Sequence, residues 1–181
     1  MIGILICGPS GVGKSSNLSK IFDKVGEAEI LDPDKRPEKE HTERSSKTLE
    51  QVYEFIEDKK DFAYIATCGG ITIIKNILKK MKDQGYRTIM VIVYTSIETA
   101  IERISKREQE TPEEVILDLH QFFTKKAEYY MKAPNVDEIL LYNNETEFKL
   151  LLDKKDQKIH CYSKKEKFYF DISPYCRNTR I

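Results

Sequence analysis

Short apolar runs alternate along the chain with stretches whose apolar residues recur every three or four positions. The runs at 2–7 (IGILIC), 28–32 (AEILD), 61–66 (DFAYIA), 88–94 (TIMVIVY) and 138–142 (EILLY) are read as strands. A run as continuously apolar as TIMVIVY suits a strand buried on both faces. Between them, Leu49, Val52, Tyr53 and Ile56 mark a helix over 47–58. Ile73, Ile74, Ile77, Leu78 and Met81 mark a second helix, with Gly85 as its stop. At 111–114, TPEE predicts Thr111 as N-cap, Pro112 at the first helical position and Glu114 closing a capping box. The helix it opens is expected to turn Val115, Ile116, Leu119, Phe122 and Phe123 inward. Strands alternating with helices imply a parallel sheet covered on both faces. After the fifth strand, ETEFKLLLD (145–153) reads as a short helix and KIHCYSKKEKFYFDI (158–172) as two strands around a polar turn. The expectation is a three-layer α/β domain over 1–181, with a mostly parallel five-stranded core to about residue 142 and a C-terminal helix and β-hairpin over 143–181.

Composition narrows the partners. Thirty basic residues balance thirty acidic ones, so no global field draws in a nucleic acid or a membrane. No apolar stretch approaches the roughly 20 residues that span a bilayer. MIGILIC lacks the basic leader of a signal peptide. The four cysteines are scattered without a C-x-x-C pair, so reduced thiols and a cytoplasmic setting (the host's, for a viral protein) are expected. Lysine and isoleucine richness points to an AT-rich genome.

The chemistry begins at GPSGVGKSS, from Gly8 to Ser16. Gly8-x-x-x-x-Gly13-Lys14-Ser15 is the phosphate-binding loop pattern, with a strand before and a helix after. Phosphate oxygens need several backbone N–H groups pointing inward, and glycines let a loop curl that tightly. The expected nucleotide ligands are Gly8, Ser10, Gly11, Val12, Gly13, Lys14, Ser15 and Ser16. Lys14 reaches the β- and γ-phosphates of ATP and the Ser15 hydroxyl holds Mg²⁺. No N-K-x-D base-reading motif and, after the third strand, no D-x-x-G switch argues for a GTPase, which leaves phosphoryl transfer to an acceptor as the expectation.

The second strand ends in Asp32-Pro33-Asp34-Lys35-Arg36. Ligands of open α/β sheets sit beyond the strands' carboxyl ends. One carboxylate there can take the proton of an attacking hydroxyl, and the other can position Mg²⁺. Asp34 is assigned as base, with Asp32 its rival and the candidate metal residue; Lys35 or Arg36 would grip an anionic acceptor. The third strand ends in ATCGG, so Thr67, Gly69 and Gly70 face the same crevice. Ala66 stands where many such enzymes carry a carboxylate, so metal handling rests on Ser15 and Asp32. After the fourth strand, Arg103 and Arg107 share a helical face opposite Ile97, Ile101 and Ile104. They are lid candidates for charge developing during transfer, with Lys106 a third.

These motifs, with TIMVIVYTSIETAIERISKREQETPEEVI, make residues 2–142 resemble the zeta-toxin and polynucleotide-kinase branch of P-loop kinases. The resemblance implies ATP as donor, a carboxylate base after the second strand, and lid arginines, landing on Asp34, Arg103 and Arg107. ATCGG departs from the acidic-Thr-Thr segment of zeta toxins, and DPD with CGG is similar to shikimate- and gluconate-type kinases. Kinases that some bacterial viruses use on hydroxymethylated DNA bases also resemble this branch. Residues 153–181 carry eight Lys/Arg against four Asp/Glu, interleaved with Tyr162, Phe168, Tyr169, Phe170 and Tyr175. That mixture fits either a nucleic-acid groove or a hairpin completing the core. The expected function is an ATP- and Mg²⁺-dependent kinase acting on a hydroxyl of a nucleotide or nucleic acid, DNA included. The alternatives are a nucleotide-sugar or small-metabolite kinase and a nucleotide-gated binding module.

Overall fold

The first strand alternates its side chains between two layers: Ile4 and Ile6 face one way, Leu5 and Cys7 the other, and all are fully buried. That double burial sets the architecture. In the computed structural model, which describes residues 1–106, 111–163 and 166–176, β1 (Ile2–Cys7) lies inside a seven-stranded sheet. The other strands are β2 (Glu29–Leu31), β3 (Phe62–Ala66), β4 (Arg87–Tyr94), β5 (Glu138–Asn143), β6 (Lys149–Lys155) and β7 (Lys158–Cys161). Their order is β2-β3-β1-β4-β5-β6-β7. The five expected strands are present and parallel, while β6 and β7 extend the sheet antiparallel.

Helix α1 (Leu18–Val25) covers one face through Leu18, Ile21 and Val25. Helices α2 (His41–Glu57), α3 (Ile71–Asp83) and α5 (Glu113–Met131) cover the other. α4 (Ile97–Ser105) packs Ala100 and Ile104 on Ile116 of α5 as a separate small cluster. Gly85, at φ 79°, ends α3 as expected. No helix among the described residues is long and apolar enough to cross a membrane.

Several expectations are corrected. Residues 149–155 form strand β6, not a helix. The register against β5 shifts between Leu141 and Tyr142, so Leu151 and Leu152 both enter the same core while Leu150 packs on the other face. A bulge of this kind erases period-two alternation, and three leucines in a row then look helical. The hairpin is therefore β6–β7, turning at Asp156 and Gln157 with φ 49° and 64°. The segment expected to be its second strand has no strand within 166–172 and ends in a 3₁₀ turn at Ser173–Cys176. At the start of α5 the N-cap is Pro112, and no side chain caps the helix, so the Thr111–Glu114 box is not formed. Val115 and Phe122 point outward, 41% and 48% exposed, and His120 takes an inward position instead. Helix α2 begins six residues before the expected start, in the polar stretch from His41.

The cysteines are not reduced. Cys7 bonds to Cys68, and Cys161 to Cys176. Sequence spacing cannot show this. Because β1 lies beside β3, Cys7 at the end of β1 meets Cys68 just past the end of β3, with Cα atoms 5.3 Å apart. The reduced-thiol argument for a cytoplasmic setting therefore falls away.

Candidate active site

The carboxyl ends of β1 to β5 meet along one edge of the sheet, and the loops leaving them build the site. The loop after β1 is shaped by its glycines. Gly11 has φ 81°, and a Cβ there would lie 2.8 Å from the Ala100 carbonyl oxygen of α4. Gly13 has φ 85°, and its Cβ would lie 2.3 Å from Asn144 Nδ2. Backbone conformation and crowding thus both demand glycine. Val12 is fully buried beneath the loop, and Lys14 Nζ folds back to donate to the carbonyls of Gly8 (2.6 Å) and Pro9 (2.9 Å).

The cleft beside this loop has a volume of about 190 Å³. It brings together Ser10, Lys14, Asp32, Asp34, Thr67, Gly69 and Gly70, with His41 and Ser45 of α2 on its wall. The two aspartates differ sharply. Asp32 is buried; Oδ2 accepts from Ser15 Oγ (3.1 Å) and Oδ1 from the Asp34 backbone N–H (3.0 Å). Asp34 stands exposed in the cleft, and its carboxylate makes no hydrogen bond or ion pair among the described residues. Arg36 turns away from it. Its guanidinium donates to Thr48 Oγ1, the Lys47 carbonyl and Gln51 Oε1, all on α2.

Arg103 lies on the other side of the phosphate loop, around a second cavity with Gly11, Gly13, Ser16 and Asn144. Its Nη2 donates to the Asn144 carbonyl (2.7 Å), while its buried Nη1 has no partner among the described residues. Arg107 lies outside the described residues.

A family model described as an AAA domain, AAA_33, matches residues 4–127. The chain belongs to this AAA domain family. No curated protein matches it in sequence. Among solved structures, this AAA domain is similar to a chain of the AvrRxo1-ORF1:AvrRxo1-ORF2 complex with sulphate ions. There the TM-score is 0.69 at 11% identity, covering 89% of this chain and 60% of that one. The same complex was also determined with ATP. A structure from the PezAT toxin–antitoxin system of Streptococcus pneumoniae gives a TM-score of 0.61 at 18% identity, covering 84% and 71%. A gluconokinase from Sinorhizobium meliloti gives 0.54 at 14% identity, covering 78% and 82%. At these identities the likeness establishes a P-loop kinase-like fold, and the AAA domain spans about 60% of the first neighbour's length.

Sequence reasoning missed three supports of the site. Asn144 Nδ2 donates to the Val12 carbonyl (2.8 Å), bracing the phosphate loop. Glu145 accepts from the Ser96 backbone N–H (2.6 Å) and from the hydroxyls of Thr95, Ser96 and Thr99, anchoring α4 of the AAA domain. Burial opposes its charge, but the Ser96 and Thr99 hydrogen bonds prevail and hold its carboxyl down at about 2. His120 Nε2 donates to the Ser10 carbonyl (3.2 Å), and burial lowers its pKa, keeping the ring neutral. The NNE at 143–145 sits where a strand end was expected, the one signal that could have flagged the first two. An isolated buried histidine carries no such signal.

Proposed function

We propose that this protein transfers the γ-phosphoryl group of ATP to a hydroxyl of a soluble acceptor held in the cleft between α2 and the end of β3. The observation that carries this reading is the division of labour between Asp32 and Asp34. Asp32 is committed to Ser15, the residue after the loop lysine, whereas Asp34 opens toward the acceptor space. Ser15 and Asp32 offer only oxygen donors, which suits Mg²⁺, a cation that binds few protein oxygens and keeps several waters. Held there by Ser15 and Asp32, Mg²⁺ would offset the negative charge of the transferring phosphates. Lys14, now turned onto the Gly8 and Pro9 carbonyls, would exchange those contacts for phosphate oxygens. Asp34 would accept the proton of the attacking hydroxyl. Arg103, behind the loop with a buried Nη1 that has no partner among the described residues, would support the donor side.

The hint of a nucleic-acid groove loses its support. Phe168, Phe170 and Tyr175 pack against the core, and Tyr169 is buried with its hydroxyl donating to the Val93 carbonyl. Only Tyr162 of that set is exposed. The reading therefore moves from DNA toward a nucleotide, nucleotide-sugar or metabolite. The test is transfer of labelled γ-phosphate from ATP to a panel of 5′-hydroxyl DNA and RNA, nucleosides, a UDP-sugar, shikimate and gluconate. Label on a soluble acceptor supports the reading. Label on DNA alone, or only free phosphate, overturns it.

A further inference from the structure

Two large apolar side chains are exposed beside the glycine pair that floors the acceptor cleft. Ile73 is 46% exposed and Phe122 is 48% exposed, among only five large hydrophobics so placed in the described residues. Exposed apolar surface concentrated at the edge of a cleft marks a place where something apolar docks. The Phe122 ring is also held in position. A Cβ on Gly69 would lie 2.7 Å from its Cε1 and 2.9 Å from its Cδ1, so the missing side chain is what lets the ring pack against Gly69, which lines the cleft. Lys126, one turn along α5, sits over the ring with Nζ 3.0 Å from the centroid and donates to the Gly69 carbonyl (2.9 Å). On the other side, Ile73 Cδ1 lies 3.3 Å from where a Cβ on Gly70 would be. The glycine pair is thus bracketed by an aromatic ring and a branched aliphatic chain. Across the cleft, Asp34, His41 and Ser45 present polar groups.

Resting on the phosphotransferase reading above, we propose that Phe122 and Ile73 form a platform for a flat ring in the acceptor. The acceptor class is then a ring-bearing alcohol of the nucleoside kind, with its ring on Phe122 and its hydroxyl toward Asp34. An open-chain polyol would satisfy His41, Ser45 and Asp34 but leave the apolar pair uncovered. Stacking of a base on an aromatic side chain is tolerant of base identity, so the platform selects for a ring rather than for one base.

The chain contains no tryptophan, so Phe122→Trp installs a single fluorescent reporter at this place. Uridine and thymidine are titrated against ribose and glycerol, with the donor site saturated by a non-hydrolysable ATP analogue. Saturable quenching by the nucleosides alone, persisting with the analogue bound, is the expected result. No nucleoside quenching, equal quenching by ribose, or quenching abolished by the analogue overturns the platform. This readout involves no phosphoryl transfer, so a γ-phosphate assay run in parallel separates failure of the platform from failure of the kinase reading. Phe122→Leu, which keeps an apolar side chain without a ring, should raise KM for a nucleoside acceptor about tenfold and leave kcat within about twofold. An unchanged KM in Phe122→Leu overturns the proposal.

Discussion

Ser15 and Asp32 are joined by a 3.1 Å hydrogen bond across 17 residues of sequence, tying the phosphate loop to the end of β2. Groups that act as a unit do not add. Ser15→Ala and Asp32→Asn should each lower phosphoryl transfer about a hundredfold, and the double variant should lose little more than either. Steady-state kinetics on all three variants measures this. Multiplying losses would mean that the two side chains work separately.

Asp34→Asn should lower transfer by about 10²–10⁴ while nucleotide affinity, read by calorimetry, stays within twofold. If Asp34→Asn transfers normally and Asp32→Asn does not, the base is Asp32.

The Glu145 anchor predicts an acid-labile α4. A carboxyl held down at about 2 contributes stability that is complete above its ordinary value of 4.5. That contribution is lost as pH falls from 4.5 through about 2. Glu145→Ala should cost about 2 kcal/mol at neutral pH, the scale of a lost helix cap, and should flatten this acid limb in urea titrations. An acid limb as steep in the variant as in the parent would assign it to other carboxylates.

His120 acts in a different window. Its folded pKa is lowered from 6.5, so its contribution is full above 6.5 and fades as pH falls toward the depressed value. His120→Asn, which keeps an N–H donor, should retain more ATP affinity than His120→Leu and should remove the stability change just below pH 6.5. Equal losses in the two variants would show that ring volume, not the bond to Ser10, is what matters.

Reduction of both disulfides should lower stability by roughly 2–4 kcal/mol per bridge, the larger share coming from Cys7–Cys68, whose partners are 61 residues apart. Urea unfolding with and without a dithiol reductant gives the difference. An unchanged midpoint would mean that the bridges contribute no net stability.

Much of this architecture was legible in the residues because it rests on local signals. TIMVIVY suits a strand buried on both faces, and it lies within β4. The glycine loop lies between β1 and α1, as its run of consecutive residues led one to expect. Where contacts decide, the reading failed. Leu150 to Leu152 hid a strand because a bulge turns two neighbouring leucines to one face. The cysteines gave no clue to their pairing because only the adjacency of β1 and β3 brings Cys7 to Cys68. Val115 and Phe122 share the apolar character of Ile116 and Phe123 but fall on the open side of α5. The Ser15, Asp32 and Asp34 grouping was visible as motifs, whereas Asn144, Glu145 and His120 lie at positions that only the folded chain brings to the loop.

The bond from Asn144 to Val12 also sets a clock. It spans 132 residues, so the phosphate loop leaves the ribosome long before the side chain that braces it. At ordinary elongation rates that interval is on the order of ten seconds. During it the Gly8 to Ser16 segment exists without its clasp, and α4 without its anchor. Nascent chains cut short of β5 should therefore hold nucleotide poorly, and competence should arrive abruptly once residues 143–145 emerge.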